Sequence, residues 1–364
     1  MKCALIVTFL FNAGYLLAAD TSLARSWELG PFLRPEHVNP VIKPDAKLRF
    51  DCPMSGQTVP WAALHTFNPG AVLKGEQVCV LYRAEDASGS MSIGGHTSRI
   101  GLAESSDELH FTCRNEPVLF PAEDGQRSNE WTGGCEDPRV VETEDGTYVM
   151  TYSEYCRGDK LRMVHLGVAT SKDLIHWTKH GPAFEELGGK SGNRYSKSGA
   201  IVTRLVNGKL VAVKHLGKYW MYWGEGEVRL ASSDDLIHWA PGSAVLKTRD
   251  NKFDSALVEA GPPAVITSQG IVLIYNGKNA SKNGDVSLNA GAYSGGQALF
   301  DIDNPARLLQ RTDVPFFKPE APFERTGQYS AGTTFLEGLV FHRGRWLLYY
   351  GCADSYVAVA VAAE

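Results

Sequence analysis

The stretch "GLAESSDELHF" at residues 101–111 returns as "GVATSKDLIHW" at 167–177 and as "RLASSDDLIHW" at 229–239. Their alanines, Ala103, Ala169 and Ala231, stand 66 and 62 residues apart. "GAYSGGQALFD" sets Ala292 a further 61 residues on, and the terminal "VAVAVA" sets Ala358 another 66 beyond it. Five phrases at a near-constant period mark five copies of one supersecondary unit.

A second phrase precedes each of these: "VCVLYRAED", "TYVMTYSEY", "KYWMYWGEGE", "GIVLIYNGK" and "RWLLYYGCAD". All are apolar or aromatic strands with a tyrosine near the end, namely Tyr82, Tyr152, Tyr222, Tyr275 and Tyr350. A third phrase stands earlier still: "NPGAVL", "EDPRVV", "KSGAIV", "GPPAVI" and "AGTTFL". Each unit therefore reads as three strands and a shorter outer strand at the "HW" edge, with helical periodicity nearly absent. A sandwich does not predict one three-phrase order five times, and a solenoid wants shorter repeats with capping units. Four-stranded sheets repeated radially make a β-propeller. The expected fold is all-β, a five-bladed β-propeller over residues 61–364. Residues 20–60 are expected to form an N-terminal extension that closes the ring or covers one face.

Composition agrees with many short strands. The chain is 43% hydrophobic and 21% charged, ordinary for a soluble globular protein, and its 37 Gly and 18 Pro suit tight turns. A formal net charge of −5 gives no basic field, which argues against nucleic acid as a partner. Residues 1–19 read as a signal peptide: Lys2, then mostly apolar residues from Cys3 to Leu17, then Ala18 and Ala19. The apolar stretch falls short of the ~20 residues that span a bilayer. Export to the periplasm or the extracellular medium is the expectation, with no membrane span. Cys52, Cys79, Cys113, Cys135, Cys156 and Cys352 are widely spaced, and no zinc spacing, Walker loop or dinucleotide fingerprint occurs. Disulfide pairing stays open. "NAS" at Asn279 matches a glycosylation acceptor, a weak motif.

In a propeller the first strand of every blade lines the central channel, so residues at equivalent strand heads converge although far apart in sequence. Those heads carry Asn68, Asp137, Lys197 and Glu259. The residues just after the second-strand tyrosines add Arg83 and Glu85, Ser153 and Glu154, Trp223 and Glu225, Asn276, and Asp354. One channel mouth is thus expected to gather several carboxylates, a few bases and aromatics. Hydroxyl-rich ligands need paired donors and acceptors, and sugar faces pack on rings. A fan of acids also suits glycoside hydrolysis, where one carboxyl donates a proton and another activates water.

The stretches "FNPGAV", "LYRAED", "SRIGLAES", "GGCEDPRVVETEDGTYVMTYSEY", "GKYWMYWGE", "EAGPPAV" and "PARLLQRTDVPFFKPEAPFE" resemble glycoside hydrolase family 130 over roughly residues 60–360. Members of that family are five-bladed propellers acting on β-mannosides, as phosphorylases or as inverting hydrolases. The resemblance implies that Asp137, the aspartate of "EDPR", is the proton donor, with Arg139 a neighbouring site residue and Glu136 in support. It also implies an unusual route in the phosphorylases, where the proton is relayed through a sugar hydroxyl.

A phosphorylase needs several basic donors around an anion, and a hydrolase needs a carboxylate to activate water. The resemblance to the hydrolase branch rests on Glu225 in "MYWGEGE" and Glu259 in "LVEAGPPAV", which in that branch occupy the phosphate region. Two carboxylates there would repel phosphate by several kcal/mol if desolvated. Glu227 lies two residues beyond Glu225 and shares its strand face in an extended chain, so the base stays open among the three. Lys197, His215 and Arg139 keep a phosphorylase in play, and a sugar-binding propeller without catalysis is a third reading. Export favours the hydrolase, because a sugar phosphate released outside the cell is hard to retain. The resemblance implies a β-1,2-linked mannoside, hence a mannose-containing oligosaccharide as partner. Expected sugar contacts are Asn68, Arg83, Arg139, Lys197, His215 and Asp354, with no metal or cofactor required.

Overall fold

The repeated phrase closes a turn, and its side chains say why it repeats. In the computed structural model, which describes residues 27–157, 162–184 and 195–363, Asp173 Oδ1 accepts the backbone N–H groups of Ile175 and His176, each at 2.8 Å. Its other oxygen takes His176 Nδ1 at 2.7 Å. Asp235 does the same for Ile237 and His238, and Asp107 for Leu109 and His110. Leu174, Leu236 and Glu108 each sit at a left-handed φ of 67–72°, a conformation costing a non-glycine residue roughly 1–2 kcal/mol. Burial of Leu174 and Leu236 and the aspartate-held amides offset that cost. Trp177 and Trp239 then donate their indole N–H to the carbonyls of Leu174 and Leu236, which starts the outer strand.

After a small hairpin, β1 (Phe50–Cys52) and β2 (Gln57–Val59), five antiparallel meanders follow in chain order. The first is β3 (His65–Lys74), β4 (Gln77–Gly89), β5 (His96–Ser105) and β6 (Thr112–Cys113). The second is β7 (Gly134–Thr143), β8 (Tyr148–Arg157), β9 (Arg162–Ser171) and β10 (Trp177–Pro182). The third is β11 (Gly199–Val206), β12 (Lys209–Ala212), β13 (Tyr219–Trp223), β14 (Val228–Ser233) and β15 (Trp239–Leu246), with β12 and β13 both paired to β11. The fourth is β16 (Leu257–Ala260), β17 (Ala264–Thr267), β18 (Gly270–Lys278), β19 (Tyr293–Phe300) and β20 (Leu308–Arg311). Pro262 and Pro263 lack the N–H a ladder needs, which splits its first strand into β16 and β17. The fifth is β21 (Thr334–His342), β22 (Arg345–Cys352) and β23 (Tyr356–Ala363). The fold is nearly all-β; its helical content among the described residues is the single turn Arg127–Glu130 and a 3-10 turn at Pro322–Glu324.

The core lies between consecutive meanders. Leu81 and Leu102 of the first pack with Val140 and Met150 of the second; Val141 and Val168 pack with Ile201 and Met221. Tyr222 and Val228 pack with Leu273 and Phe300, and Ile274 packs with Leu336 and Leu348. The last cluster joins the fifth meander back to the first, through Val340, Tyr349 and Val359 against Val78, Val80 and Tyr82. Each such buried aliphatic or aromatic side chain contributes roughly 1.5–3 kcal/mol. The N-terminal segment supplies the outer partner of β23, with bridges Leu33↔Val361 and Ile42↔Val357. The expected signal segment, residues 1–19, lies outside the described residues.

Register corrects three assignments. Val80 faces Ala103, Met150 faces Ala169 and Met221 faces Ala231, so the fourth and fifth equivalents are Ala298 opposite Leu273 and Ala360 opposite Leu348. Ala292 precedes β19, in the long 279–292 connection that stretches this hairpin, and Ala358 faces Tyr350 instead. In the third meander Trp223, not Tyr222, holds the place of Tyr152, and Tyr222 donates its hydroxyl to Pro305 O at 2.8 Å. The tyrosine–glycine pairing of the phrases is steric. Gly101 and Gly296 face Tyr82 and Tyr275, and a Cβ on either would come within 2.5 Å or less of the ring.

Candidate active site

Three of the first strands carry a bulge at the same place. The register slips between Phe67 and Pro69 in β3, between Glu136 and Arg139 in β7, and between Leu336 and Gly338 in β21. Asn68 and Asp137 take left-handed φ angles of 46° and 51° there. A bulge inserts an unpaired residue and re-aims its side chain, and here Asn68, Asp137 and Glu337 are the inserted residues. Ser198, at φ 57°, turns the chain just before β11.

The result is a cavity of about 470 Å3 to which all five meanders contribute. Asp137 stands at its floor. Asn68 Nδ2 donates to Asp137 Oδ1 at 2.8 Å, an Arg83 nitrogen lies 3.2 Å from the same oxygen, and Lys197 Nζ lies 2.9 Å from Oδ2. Burial pushes the Asp137 carboxyl up, but Lys197, Arg83 and the Asn68 bond outweigh it and hold it well below the usual carboxylate range. Its neighbour Glu136 behaves in the opposite way. Burial raises it; Arg83, at 2.8 Å, pulls it down, and the charge on Asp137 pushes it up again. Of these adjacent acids Glu136 is the one pushed up, to about 7, while Asp137 is held down.

Across the cavity, β16 meets the segment after β13 through a backbone bridge between Glu225 and Glu259. Glu259 is buried, accepts the Ser198 hydroxyl, and lies 3.9 Å from Lys197 Nζ. Its carboxyl is pushed up to about 7 by burial, against Lys197, with the Glu225 charge adding to the rise. Glu225 is half-buried and accepts the Tyr195 hydroxyl. The upper wall is aromatic: Tyr155, Tyr195, Tyr293, Tyr329 and Phe335 line it, and Lys278 Nζ lies 5.3 Å and 5.6 Å from the ring centres of Tyr293 and Tyr329. Asp354, raised to about 6 chiefly by burial, completes the floor beside Gln328.

The cavity therefore gathers Asn68, Arg83, Asp137, Lys197, Glu225, Glu259 and Asp354, all expected there from sequence. Arg139 departs from expectation. Its guanidinium points away from the cavity, 2.6 Å from Glu337 and bonded to the carbonyls of Gly261, Ala260 and Asp137. It braces the bulge rather than lining the cavity. His215 also stands elsewhere, in the turn between β12 and β13, with Nε2 against Ile302 O at 2.5 Å. Glu227 turns to Arg229 and is no part of the lining. Asn276 spends its amide on the Leu336 backbone, and Asn279, buried, spends its own on Asp285, Leu288 and Asn289 carbonyls, which removes it as a glycan acceptor. Sequence phase missed Tyr293, Tyr329, Gln328 and Lys278. These come from strand ends and connections whose lengths differ between meanders. Behind the wall, His65, Glu85 and His96 offer ligand atoms within 4.8 Å of one another.

The six described cysteines are all unpaired, and no helix among the described residues is long and apolar enough to cross a membrane.

Comparison with known proteins fits this geometry. The model of glycoside hydrolase family 130, described as beta-1,4-mannooligosaccharide phosphorylase, matches residues 32–364. The chain is 30% identical over 302 residues to a 1,2-beta-oligomannan phosphorylase of Thermoanaerobacter sp. (strain X514), covering 83% of this chain and 90% of that one. A glycosyl hydrolase structure from Bacteroides ovatus superposes with a TM-score of 0.88 at 49% identity, over 93% of this chain and 97% of that one. A further structure, also 49% identical with a TM-score of 0.89 over 93% and 97% of the two chains, is described with hydrolases of the family that target beta-1,2 mannosidic linkages in Candida mannan. A family-wide match over nine-tenths of the chain, set on a floor of paired acids under an aromatic wall, identifies an enzyme acting on glycosides, and the chain belongs to glycoside hydrolase family 130.

Proposed function

We propose that this enzyme is a five-bladed β-propeller that hydrolyses β-mannosidic linkages, β-1,2 in the first instance, with inversion at the anomeric carbon. The five meanders and the apolar clusters between consecutive ones support the propeller. One observation carries the hydrolase reading: the Glu225–Glu259 pair faces Asp137 where a phosphorylase needs basic donors. The bases nearest these acids are committed. Lys197 lies on Asp137 and Glu259, Arg83 on Glu85, Glu136 and Asp137, and Arg139 on Glu337. Phosphate arriving here meets carboxylates whose charges are already matched to these cations. Structures about half identical to this chain and described as hydrolases add support.

In this reading Asp137 serves as the acid and delivers its proton to the glycosidic oxygen directly or through a sugar hydroxyl, with Glu136 in support. Lys197, close to both Asp137 and Glu259, puts an upper bound of about 7 Å on the separation of their nearest charged oxygens, which meets only the short end of the ~6.5–9.5 Å spacing of direct inverting pairs. Glu259, poised near neutrality, or Glu225 takes the proton of the attacking water. The rings of Tyr195, Tyr293 and Tyr329 pack on the apolar faces of the glycan. The N-terminal pattern of residues 1–19 supports an exported enzyme, periplasmic or extracellular.

A phosphorylase is the second reading. Lys278 favours it: it lines the cavity with its ammonium over two rings and no carboxylate ion pair among the described residues. The 30% identical phosphorylase favours it too. Incubation with β-1,2-mannobiose, with and without inorganic phosphate, separates the two. Free mannose at equal rates in both is the expected result; mannose 1-phosphate formed only with phosphate overturns the hydrolase.

A further inference from the structure

We propose that His65, Glu85 and His96 form a site for one borderline divalent cation of the zinc class, set behind the cavity wall in the first meander. The three residues come from three adjacent strands: His65 on β3 faces Glu85 on β4 across the ladder, and His96 opens β5. Their nearest ligand atoms all lie within 4.8 Å of one another. Imidazole and carboxylate ligands bind zinc at ~2.0–2.2 Å, which sets them about 3.4 Å apart in a tetrahedron. Side-chain rotations that draw the three atoms together by about an ångström complete that geometry.

Two further observations point to a ligand. His96 is 3% exposed, and its Nδ1 is buried with no hydrogen-bond partner. A buried polar nitrogen without a partner is costly, and a cation removes that cost. His65 sets Nδ1 3.1 Å from Ser355 Oγ, the outer contact by which metal-bound imidazoles are oriented, and keeps Nε2 for the metal. The charge balance also favours a cation. Around Glu85 stand Glu136, Asp137 and Asp354, against Arg83 and Lys197. Glu85 gives one oxygen to Arg83 and Ser98, while the other takes only Gln328 Nε2 at 3.2 Å among the described residues. A cation there takes that second oxygen from Gln328, a cavity-lining side chain, and so releases the loop before β21 from the first meander.

No spacing motif announces such a site, because its ligands are 20 and 11 residues apart and meet only through strand pairing. The test uses the full-length mature enzyme after chelator treatment, titrated with Co2+ and read by visible absorption, then with Zn2+ by calorimetry and displacement. One equivalent per chain is expected, and His65→Ala and His96→Ala should each weaken it at least about 100-fold. A variant lacking His176 and His238, exposed histidines beside aspartates, controls for surface binding and should bind normally. Circular dichroism checks the fold of each variant, and if His96→Ala misfolds, His65→Ala decides. Binding that persists undiminished in a folded His65 or His96 variant, or no stoichiometric binding by the wild type, overturns the proposal.

Discussion

The ammonium of Lys197 lies 2.9 Å from Asp137 Oδ2. With Arg83 and Asn68 on the other oxygen, it holds the expected acid well below the usual carboxylate range, while Glu136 beside it is pushed up to about 7. Geometry and ionisation therefore split the role between adjacent residues. Asp137→Asn should cut turnover by about 10³-fold or more, because the amide keeps the shape and cannot pass a proton. Mannoside affinity, measured by calorimetry, should stay within a few-fold of wild type. Glu136→Gln should lose only about tenfold, since Asp137 and the substrate hydroxyl remain. The reverse order of these two losses would move the acid to Glu136.

The base side makes a pH prediction with a definite sign. A general base must be ionised, and Glu259 is pushed up to about 7, so kcat/KM should rise as pH rises through about 7. The Glu225 charge contributes to that elevation, so Glu225→Gln should move the midpoint of this limb to lower pH. Glu259→Gln should remove the limb and cut the rate by about 10²-fold or more, with azide or formate restoring part of it as product of inverted configuration. A profile whose acidic limb is unchanged in both variants places the base elsewhere.

Much of this site could be read from the sequence, for a local reason. Asp173 and Asp235 hold their own turns, so the phrase they belong to keeps its meaning wherever it occurs. Asn68, Asp137, Lys197 and Glu259 could be placed together because strand heads keep phase between meanders. The failures arise where phase is lost. The bulge at Asp137 and Pro138 consumes residues, and Arg139 beyond it faces Glu337 instead of the cavity. The turn that splits β12 from β13 carries His215 to the outside. The 279–292 connection absorbs the period, so Ala292 mimics Ala298. Tyr329 and Gln328 sit in the 312–333 connection, outside the repeated phrases.

Arg139 yields a stability prediction in place of the contact role expected for it. It is 2% exposed and stands 2.6 Å from Glu337, a buried carboxylate that burial pushes well above its ordinary range despite this partner. Arg139→Met strips Glu337 of its cation and three carbonyls of their donor, and should cost roughly 3–5 kcal/mol in urea unfolding. Adding Glu337→Gln should recover part of that loss, because the stranded acid is gone. If Arg139→Met instead unfolds like wild type and only raises KM, the residue touches substrate after all.

Lys278 gives the sharpest separation of the two chemistries. Its ammonium hovers over Tyr293 and Tyr329 at the cavity wall and makes no carboxylate ion pair among the described residues. In a phosphorylase, such a cation would meet the incoming anion, and Lys278→Met would raise the KM for phosphate by about tenfold or more while leaving mannoside binding alone. In a hydrolase it stiffens an aromatic wall, and cation–π contacts of this kind contribute about 0.5–1 kcal/mol. The same variant should then raise the KM for mannoside by about two- to fivefold, with kcat nearly unchanged and no response to phosphate at any concentration. Initial rates across a phosphate series, for wild type and variant side by side, check this directly. A phosphate optimum in the wild type that disappears in Lys278→Met would establish the phosphorylase; flat lines in both, with only the mannoside KM displaced, are the expected outcome.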